Sequence, residues 1–196
     1  MAPRVVVFVD YQNAHASGHK LYCDASDPIY NCLIDPLKLG ELLVARRAPG
    51  GTLKEVRVYR GRPDPRKEPR LTAANDKHFD AWKSDVRVMV KRRPLMYPED
   101  WNEPGCVERP REKGVDVSLA VDMVRLAYEK KYDVGILFSR DTDLKPPLEM
   151  VRDLKLAHVE VASWDGASVL GLPGIYLHKL SRNDFAAVRD TRTYVV

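Results

Sequence analysis

The chain has 196 residues, of which 44% are hydrophobic and 31% are charged, and its formal net charge is +4. This length suits one α/β domain with a real core and is short for two, and the composition is that of an ordinary soluble globular protein. No apolar run approaches the ~20 residues that cross a bilayer, and the start of the chain leads directly into a strand, which excludes a membrane span and predicts a cytoplasmic protein. Three cysteines at irregular spacing fit a reducing compartment better than a disulfide framework.

The first predicted element is a buried strand at residues 5–9, an unbroken apolar run rich in β-branched types. It ends in Asp10, and Asn13 follows shortly after. Because ligands of open α/β sheets bind outside the carboxyl ends of the strands, Asp10 is a candidate binding residue. Aspartate is also a common helix cap, and for Asp10 taken alone the capping role is the favoured interpretation.

Residues 14–34 are predicted to form a loop or an irregular helix that contains ligand types for zinc. These residues are His15, His19, Cys23 and Cys32. Zinc sites normally show tight paired spacing, which this segment lacks, so a zinc site is the lesser alternative. Asp35 and Pro36 then predict a helix at residues 37–46, because a capping residue is followed by proline at the first helical position.

Basic clusters accompany the next two predicted strands, at residues 53–60 and 86–90, which flank a helix at residues 71–83. Clusters at the mouth of one sheet edge would contact phosphate groups, although a solvated surface loop explains the first cluster equally well. The candidate phosphate-contacting residues are Arg60, Arg62, Arg66, Lys67, Lys91, Arg92 and Arg93. Residues 94–112 carry four prolines and are predicted to form a long surface loop.

A helix with one apolar face is predicted from Asp116 onward, and a buried strand at residues 134–138 follows it. This strand ends in a polar run that contains Asp141 and Asp143. A helix between two parallel strands begins at the carboxyl edge of the sheet and leads to a strand that returns to that edge. We therefore expect Asp10, Asp116 and Asp141 to meet at one edge.

Asp122 lies on the same predicted helix as Asp116 but is rotated about 240° around its axis. We therefore predict a flanking role for Asp122, with Arg125 as its partner. Further along, the pattern predicts a helix at 143–153, a strand at 159–162, a short helix at 168–172 and an edge strand at 175–177.

The three converging acids predict a cation site. Carboxylates a few ångströms apart repel each other strongly in a cleft of low dielectric constant, so such a pocket must bind protons or cations. Oxygen ligands favour Mg²⁺ or Mn²⁺, which activate water and stabilise the departing oxygen of a phosphodiester. With the acids placed in one cleft, the remaining surface is more basic than the net charge suggests, which favours an acidic partner such as nucleic acid.

Three stretches of the sequence carry a family resemblance. They are VVVFVDYQNA from residue 5, KGVDVSLAVDMVRLAYEKKYD from residue 113 and VGILFSRDTDL from residue 134. Together they resemble the NYN domain, a branch of the PIN-like nucleases, over about residues 4–163. The resemblance implies a three-layer α/β/α fold with a central, mainly parallel sheet and a metal-dependent ribonuclease site.

The resemblance also implies a set of catalytic residues. They are Asp10, Asn13, Asp116, Asp141 and Asp143. Of these, Asp10, Asp116 and Asp141 are implied to hold the metal. For a fourth acid from the helix between the first two strands, Glu41 is the nearby candidate.

The implied partner is RNA, and Lys113 and Arg140 join the basic clusters as candidate RNA-binding residues. Two positions depart from the family pattern. The family more often has a small glycine where this chain has Arg140 and an aromatic residue where it has Leu144. The arginine raises the question of how open the cleft is.

We therefore predict a metal-dependent endoribonuclease in a single domain over residues 1–196, with a core at about 4–163 and a C-terminal extension at 164–196. A first alternative is a catalytically weak or inactive RNA-binding or adaptor domain of the same fold, in which Arg140 neutralises the acids. A second is a phosphatase or nucleotide-binding enzyme, which the lack of a glycine-rich phosphate loop disfavours. The RNA target and the oligomeric state stay open, with a homodimer among the options.

Overall fold

A six-stranded sheet forms the middle layer of the protein in the computed structural model, which describes residues 1–194. The strands are β1 (Arg4–Asp10), β2 (Thr52–Arg62), β3 (Val88–Pro94), β4 (Val134–Phe138), β5 (His158–Trp164) and β6 (Tyr176–Leu180). Their order in the sheet is β3-β2-β1-β4-β5-β6, and all neighbouring pairs are parallel. Val195 and Val196, the end of the predicted extension, lie outside the described residues.

Helices cover both faces of this sheet. They are α1 (Tyr11–Tyr22), α2 (Pro36–Ala45), α3 (Pro69–Trp82), α4 (Val115–Tyr128), α5 (Lys145–Asp153) and α6 (Arg182–Ala187). Buried side chains of α1, α2, α3 and α6 join one hydrophobic cluster, and those of α4 and α5 join a second cluster on the opposite face. The predicted three-layer α/β/α fold with a parallel central sheet is confirmed.

The central position of β1 follows from its composition. Val5, Val7 and Val9 pack into the first cluster, whereas Val6 and Phe8 pack into the second. A strand that is apolar on both faces is stable only where helices cover both sides, as they do for parallel strands. Its neighbours are β2 and β4, so the polar residue after β1 emerges in the middle of the carboxyl edge.

Three predicted elements differ from the structure. The segment expected to be a loop or an irregular helix at 14–34 instead begins within the regular helix α1, which runs from Tyr11 to Tyr22. The third strand, predicted at 86–90 and ending in the basic run, starts two residues later at Val88 and extends to Pro94, because Lys91 to Pro94 stay in register with β2. The short helix expected at 168–172 does not form, and this segment is irregular.

The segment after α1 also contains a disulfide between Cys23 and Cys32, whereas the sequence favoured reduced cysteines. The imidazole Nε2 atoms of His15 and His19 hydrogen-bond the carbonyl oxygens of Ile29 and Asp27, which holds the closed loop against α1. A ring nitrogen of His19 lies within 4.8 Å of both sulfur atoms. Since a disulfide offers no thiolate, this bonded state does not fit a zinc site.

The C-terminal segment belongs to the same sheet and core. It adds the edge strand β6 and the helix α6, whose first turn is fixed by a capping box between Ser181 and Asp184. Phe185 and Val188 then pack into the first hydrophobic cluster. Among the described residues, no helix combines the length and apolar character that a membrane span requires.

Candidate active site: an acidic cleft

Four carboxylates line a cleft of about 430 Å³ at the carboxyl edge of the sheet. They are Asp10, Glu112, Asp116 and Asp141. Asp10 ends β1, Asp116 lies in the first turn of α4, and Asp141 follows β4. The structure thus brings together the three acids that the sequence placed at one edge, and it adds a fourth.

Asp10 has both of the roles that its sequence position allowed. One carboxylate oxygen accepts a hydrogen bond from the backbone N–H of Asn13 at 3.2 Å and so caps α1. The other accepts a hydrogen bond from the Ser139 hydroxyl at 2.8 Å. The Ser139 oxygen in turn accepts the N–H of Asp141 at 3.1 Å, so one hydroxyl fixes the spacing of two acids.

Asp116 is positioned by the turn that precedes α4. Gly114 has a φ of +71° and stands at the N-cap of the helix. This left-handed backbone conformation is readily available to glycine and costs energy for most other residues. The turn places Asp116 in the first helical turn, where the positive end of the helix dipole favours a negative charge.

Glu112 was not predicted from the sequence. Its carboxylate accepts a hydrogen bond from the backbone N–H of Gly61, near the end of β2. Burial, reinforced by the charges of Asp10 and Asp116, raises the pKa of Glu112 to about 7. Glu41, the predicted candidate for a fourth acid, instead forms a surface ion pair with Arg87 at 3.1 Å.

The sequence contained one signal for Glu112. It is the last acid of the long loop and lies four residues before Asp116, directly ahead of the Lys113-Gly114 turn. Because only two residues separate Glu112 from Val115, where α4 begins, an acid at this position remains close to the start of the helix. The loop had no periodic pattern from which its path could be inferred, so the contact with Gly61 was not predictable.

The electrostatics of the cleft favour a bound cation. Burial raises the pKa of Asp10, and the nearby charges of Asp141 and Asp116 raise it further. None of the four carboxylates forms an ion pair with another residue in the range 1–194. Several converging carboxylate oxygens that form no ion pair within residues 1–194 are a donor set that suits Mg²⁺ or Mn²⁺.

Arg140 lies beside the cleft but contacts neutral groups. Its Nε donates a hydrogen bond to Oδ1 of Asn13 at 3.0 Å, and one terminal nitrogen donates to the Ser168 hydroxyl at 3.3 Å. In the described part of the chain it forms no ion pair with the cleft acids. Its observed contacts therefore orient Asn13, which lines the cleft, and do not neutralise the carboxylates.

Asp143 lies further out than the other predicted catalytic residues. Its side chain is exposed, and it is not among the residues that line the cleft. Its backbone N–H donates a hydrogen bond to the carboxylate of Asp141 at 2.9 Å. The contact that Asp143 makes with the acidic set is therefore through its main chain.

The predicted RNA-binding residues divide into two groups. Arg93 and Lys113 lie near the start of α4, where Nε of Arg93 donates to the carbonyl oxygen of Lys113 at 3.2 Å. Arg111, which was not predicted, lines the cleft itself and has an exposed side chain. With Arg140, these residues place positive charge around the acidic cleft.

The other predicted basic residues have partners away from the acids. Arg62 and Arg92 both pair with Asp76, Arg66 pairs with Asp64 and Lys91 pairs with Asp122. The ammonium group of Lys67 lies over the ring of Tyr97, 4.6 Å from its centre. These partners do not prevent phosphate contacts by the exposed residues, but they reduce the free positive charge.

Arg60 differs most from its predicted place at the mouth of the cleft. Its guanidinium group packs over the rings of Tyr11 and Trp82, with distances of 4.9 and 5.3 Å to the ring centres. Burial lowers the pKa of Arg60. The side chain therefore lies behind the cleft, one residue before the Gly61 amide that holds Glu112.

Asp122 has the flanking role that we expected but a larger set of partners. Its carboxylate pairs with Lys91 at 2.6 Å and accepts a hydrogen bond from the Tyr59 hydroxyl at 2.7 Å. Arg57 and the predicted partner Arg125 are each 3.4 Å away. These groups neutralise Asp122 inside the protein, so it contributes no free acid to the cleft.

Comparisons with known proteins agree with this architecture. A protein of unknown function from Vibrio parahaemolyticus, VPA0982, has a crystal structure that matches with a TM-score of 0.54 and 15% sequence identity, covering 92% of this chain and 93% of the other. At this identity the match supports the fold alone. No curated protein matched this sequence. The family model of the NYN domain matches residues 4–169. The chain therefore belongs to the NYN domain family, whose members are generally nuclease-like.

Proposed function

We propose that this protein is a metal-dependent endoribonuclease that hydrolyses phosphodiester bonds in RNA. The observation that carries this proposal is the convergence of four acids in one cleft, where none of them forms an ion pair with any residue in the range 1–194. These acids are Asp10, Glu112, Asp116 and Asp141. Membership of a nuclease-like family supports the reaction class. Among the described residues Arg140 contacts Asn13 and Ser168 and forms no ion pair with these acids, which favours an active site over the inactive adaptor alternative.

The donor set indicates which residues would hold the metal. Asp10, Asp116 and Asp141 offer hard oxygen ligands from three separate elements, which fits Mg²⁺ or Mn²⁺. Such an ion supplies Lewis-acid chemistry, lowering the pKa of water and stabilising charge on the departing oxygen. The Ser139 hydroxyl keeps Asp10 in place, and the N–H of Asp143 does the same for Asp141.

Two further residues have roles that follow from their contacts. Because Arg140 occupies Oδ1 of Asn13, the amide NH₂ group of Asn13 is left to donate to a phosphate oxygen in the cleft. Glu112 has a pKa of about 7, so near neutral pH it is able both to accept and to release a proton. We propose that Asn13 positions the substrate and that Glu112 assists proton transfer or cation binding.

The cationic rim supports RNA as the substrate. Arg111 lines the cleft, and Arg140 contacts Asn13 of the cleft. Arg93 and Lys113 line a neighbouring pocket at the start of α4. We propose that these groups hold the phosphate backbone on both sides of the scissile bond.

We also propose that residues 1–196 act as one domain, since 164–194 complete the same sheet and core. A cytoplasmic location remains our proposal for this protein. The Cys23–Cys32 disulfide is the observation against it, because disulfides are uncommon in that compartment.

The test is cleavage of a labelled single-stranded RNA by the purified protein with Mn²⁺. Wild type should produce fragments, whereas Asp10→Asn and Asp141→Asn should lose at least about 100-fold in rate. Asp153→Asn is a matched control, because Asp153 is an exposed acid on α5 that pairs with Arg152. Calorimetry should show Mn²⁺ binding to wild type and weaker binding to both cleft variants.

Other outcomes identify the alternatives. Equal cleavage by wild type and both cleft variants would show that the activity does not come from this site. Salt-sensitive RNA binding without products or metal dependence would indicate an adaptor domain. Release of inorganic phosphate from nucleotides would instead indicate a phosphatase.

A further inference from the structure

A second cavity of about 720 Å³ lies beside α3, outside the acidic cleft. One wall is formed by the side of α3 that carries Arg70, Leu71 and His78. Arg70 and His78 are about two helical turns apart. The opposite walls are the segment before α2, which includes Tyr30, and residues 189–194 of the C-terminal segment. The cavity is larger than the acidic cleft, whose volume is about 430 Å³.

This cavity lies near the acidic cleft in the fold. The helices α1 and α3 both begin after a strand that ends at the carboxyl edge of the sheet. The Tyr11 hydroxyl, at the start of α1, hydrogen-bonds the backbone of Ile34. This contact places the segment before α2 at the same edge. Trp82 stacks on His78 of the cavity at 5.5 Å between ring centres. Arg60 packs on Trp82, and the next residue holds Glu112. Successive contacts through Trp82, Arg60 and Gly61 therefore connect the two sites.

The charge around the cavity is positive. Arg70 forms no ion pair or side-chain hydrogen bond in the part of the chain that the structure describes. Arg189 packs over Phe185 and bonds the carbonyl oxygen of Asn31, but its Nε has no hydrogen-bond partner there. The acid of the cavity, Asp190, is already neutralised by Arg192 at 2.8 Å. The remaining positive charge suits an anionic ligand.

The cavity also offers surfaces for a planar group. Tyr30 is 65% exposed and Leu71 is 54% exposed, so both present apolar area to solvent at the rim. His78 is only 6% exposed, and its Nδ1 is buried without a hydrogen-bond partner. Burial lowers the pKa of His78 to about 4, so the ring is neutral near pH 7 and able to donate or accept one hydrogen bond.

We propose that this cavity binds one nucleotide of a single-stranded RNA whose neighbouring segment enters the acidic cleft. The base would lie against Tyr30 and Leu71 with its edge toward His78, and the phosphate would contact Arg70 and Arg189. A nucleotide combines the planar apolar group and the anion that these residues match, whereas an acidic peptide supplies only the anion. The inference rests on the proposed function for the identity of the ligand.

The experiment measures binding separately from cleavage. Anisotropy of a labelled 12-nucleotide single-stranded RNA is recorded in EDTA with wild type, Arg70→Ala and Tyr30→Ala. Each variant should weaken binding about 10-fold, since stacking on an aromatic residue is worth about 1–3 kcal/mol per base. Arg70→Ala should also lower the slope of log affinity against log salt by about 0.7, the value for one phosphate contact on a single strand.

Matched controls come from the opposite face of the sheet. Arg152→Ala on α5 removes the same charge, and Tyr128→Ala on α4 removes a ring that is 76% exposed. Both should bind the RNA as wild type does. The exposure of Arg70 and Tyr30 predicts folded variants, and an unchanged melting temperature checks this.

The outcomes separate this inference from the proposed function. Weakened binding by Arg70→Ala and Tyr30→Ala supports the cavity site, even if no RNA is cleaved in the separate Mn²⁺ assay. Wild-type affinity in both variants would overturn it, whether or not the protein cleaves RNA. Equal affinity of wild type for a polyglutamate peptide of the same charge would also overturn the assignment to RNA.

Discussion

Two aspartates on the same helix show how differently this protein treats acidic groups. Asp116 and Asp122 both belong to α4, and they are six residues apart. Asp122 is surrounded by Lys91, Arg57 and the Tyr59 hydroxyl, whereas Asp116 lies in the acidic cleft without an ion pair in residues 1–194. The protein neutralises one acid itself and leaves the other to be neutralised by a ligand.

The difference follows from helical geometry. Six residues rotate a side chain by about 240°, so the two aspartates cannot share a face of α4. Asp122 turns toward β2 and β3, where basic residues project from the sheet, whereas Asp116 turns toward the carboxyl edge. The paired Asp122 therefore contributes to the stability of the fold, whereas Asp116, without an ion pair among the described residues, is available to bind a ligand.

The largest expected effects are a loss of stability when Asp122 is replaced and a loss of RNA cleavage when Asp116 is replaced. Asp122→Asn leaves Lys91 and Arg57 without their shared acid, so it should lower the free energy of unfolding by about 3 kcal/mol. The rate of RNA cleavage per folded molecule should stay within about threefold of wild type. Urea unfolding and single-turnover cleavage measure the two quantities.

Asp116→Asn is the matched control for this prediction. It should leave the free energy of unfolding unchanged or raise it slightly, because one repelling charge is removed from the cleft. Cleavage should fall at least about 100-fold. If Asp116→Asn destabilises the protein as strongly as Asp122→Asn, the distinction between the two acids is wrong.

A second prediction uses the pH dependence of stability without metal. The pKa of Glu112 is about 7 in the folded protein and near 4.5 in a free glutamate, so the folded state binds this proton more tightly. The free energy of unfolding should therefore fall as the pH rises from about 4.5 to about 7. In EDTA, Glu112→Gln should come closest to wild type in stability below about pH 4.5 and be more stable at pH 8 by up to about 3 kcal/mol.

Asp143→Asn is the control for the pH experiment, because Asp143 is an exposed acid outside the lining of the cleft. Its stability should follow that of wild type across the whole pH range. The same pH dependence in Glu112→Gln and in wild type would show that Glu112 is not held in a buried, acidic environment.

The smallest expected effect concerns Arg140. Since it contacts Asn13 and Ser168 and forms no ion pair with a cleft acid among the described residues, Arg140→Ala should change kcat by less than about threefold. The KM for RNA should rise by up to about fivefold, because a partly exposed contact contributes at most about 1 kcal/mol. Steady-state kinetics on one RNA substrate separates these values.

A large rise in kcat for Arg140→Ala would contradict the view that the cleft acids form no ion pair within residues 1–194. If Arg140→Ala raised kcat by more than about tenfold, Arg140 would be restraining the acids in solution, as the adaptor alternative assumes. Arg46→Ala is a suitable control, because Arg46 pairs with Asp184 away from the cleft.

The sequence by itself determined the layers of the fold and three acids of the candidate site. Apolar runs at 5–9 and 134–138 predicted strands covered on both faces, and the three- to four-residue spacing after Asp116 predicted α4. Once strands and helices alternate in a parallel sheet, their ends must meet at one edge. Asp10, Asp116 and Asp141 were therefore predictable from local pattern and topology.

The tertiary structure alone decided which charges are free. The path of an irregular loop brought Glu112 to Gly61, and cross-strand packing buried Arg60 and paired Lys91 with Asp122. Such contacts join residues far apart in the chain, and no local periodicity encodes them. The sequence predicted the types of group at the edge of the sheet, and three-dimensional packing determined which of them remain available to a metal ion and RNA.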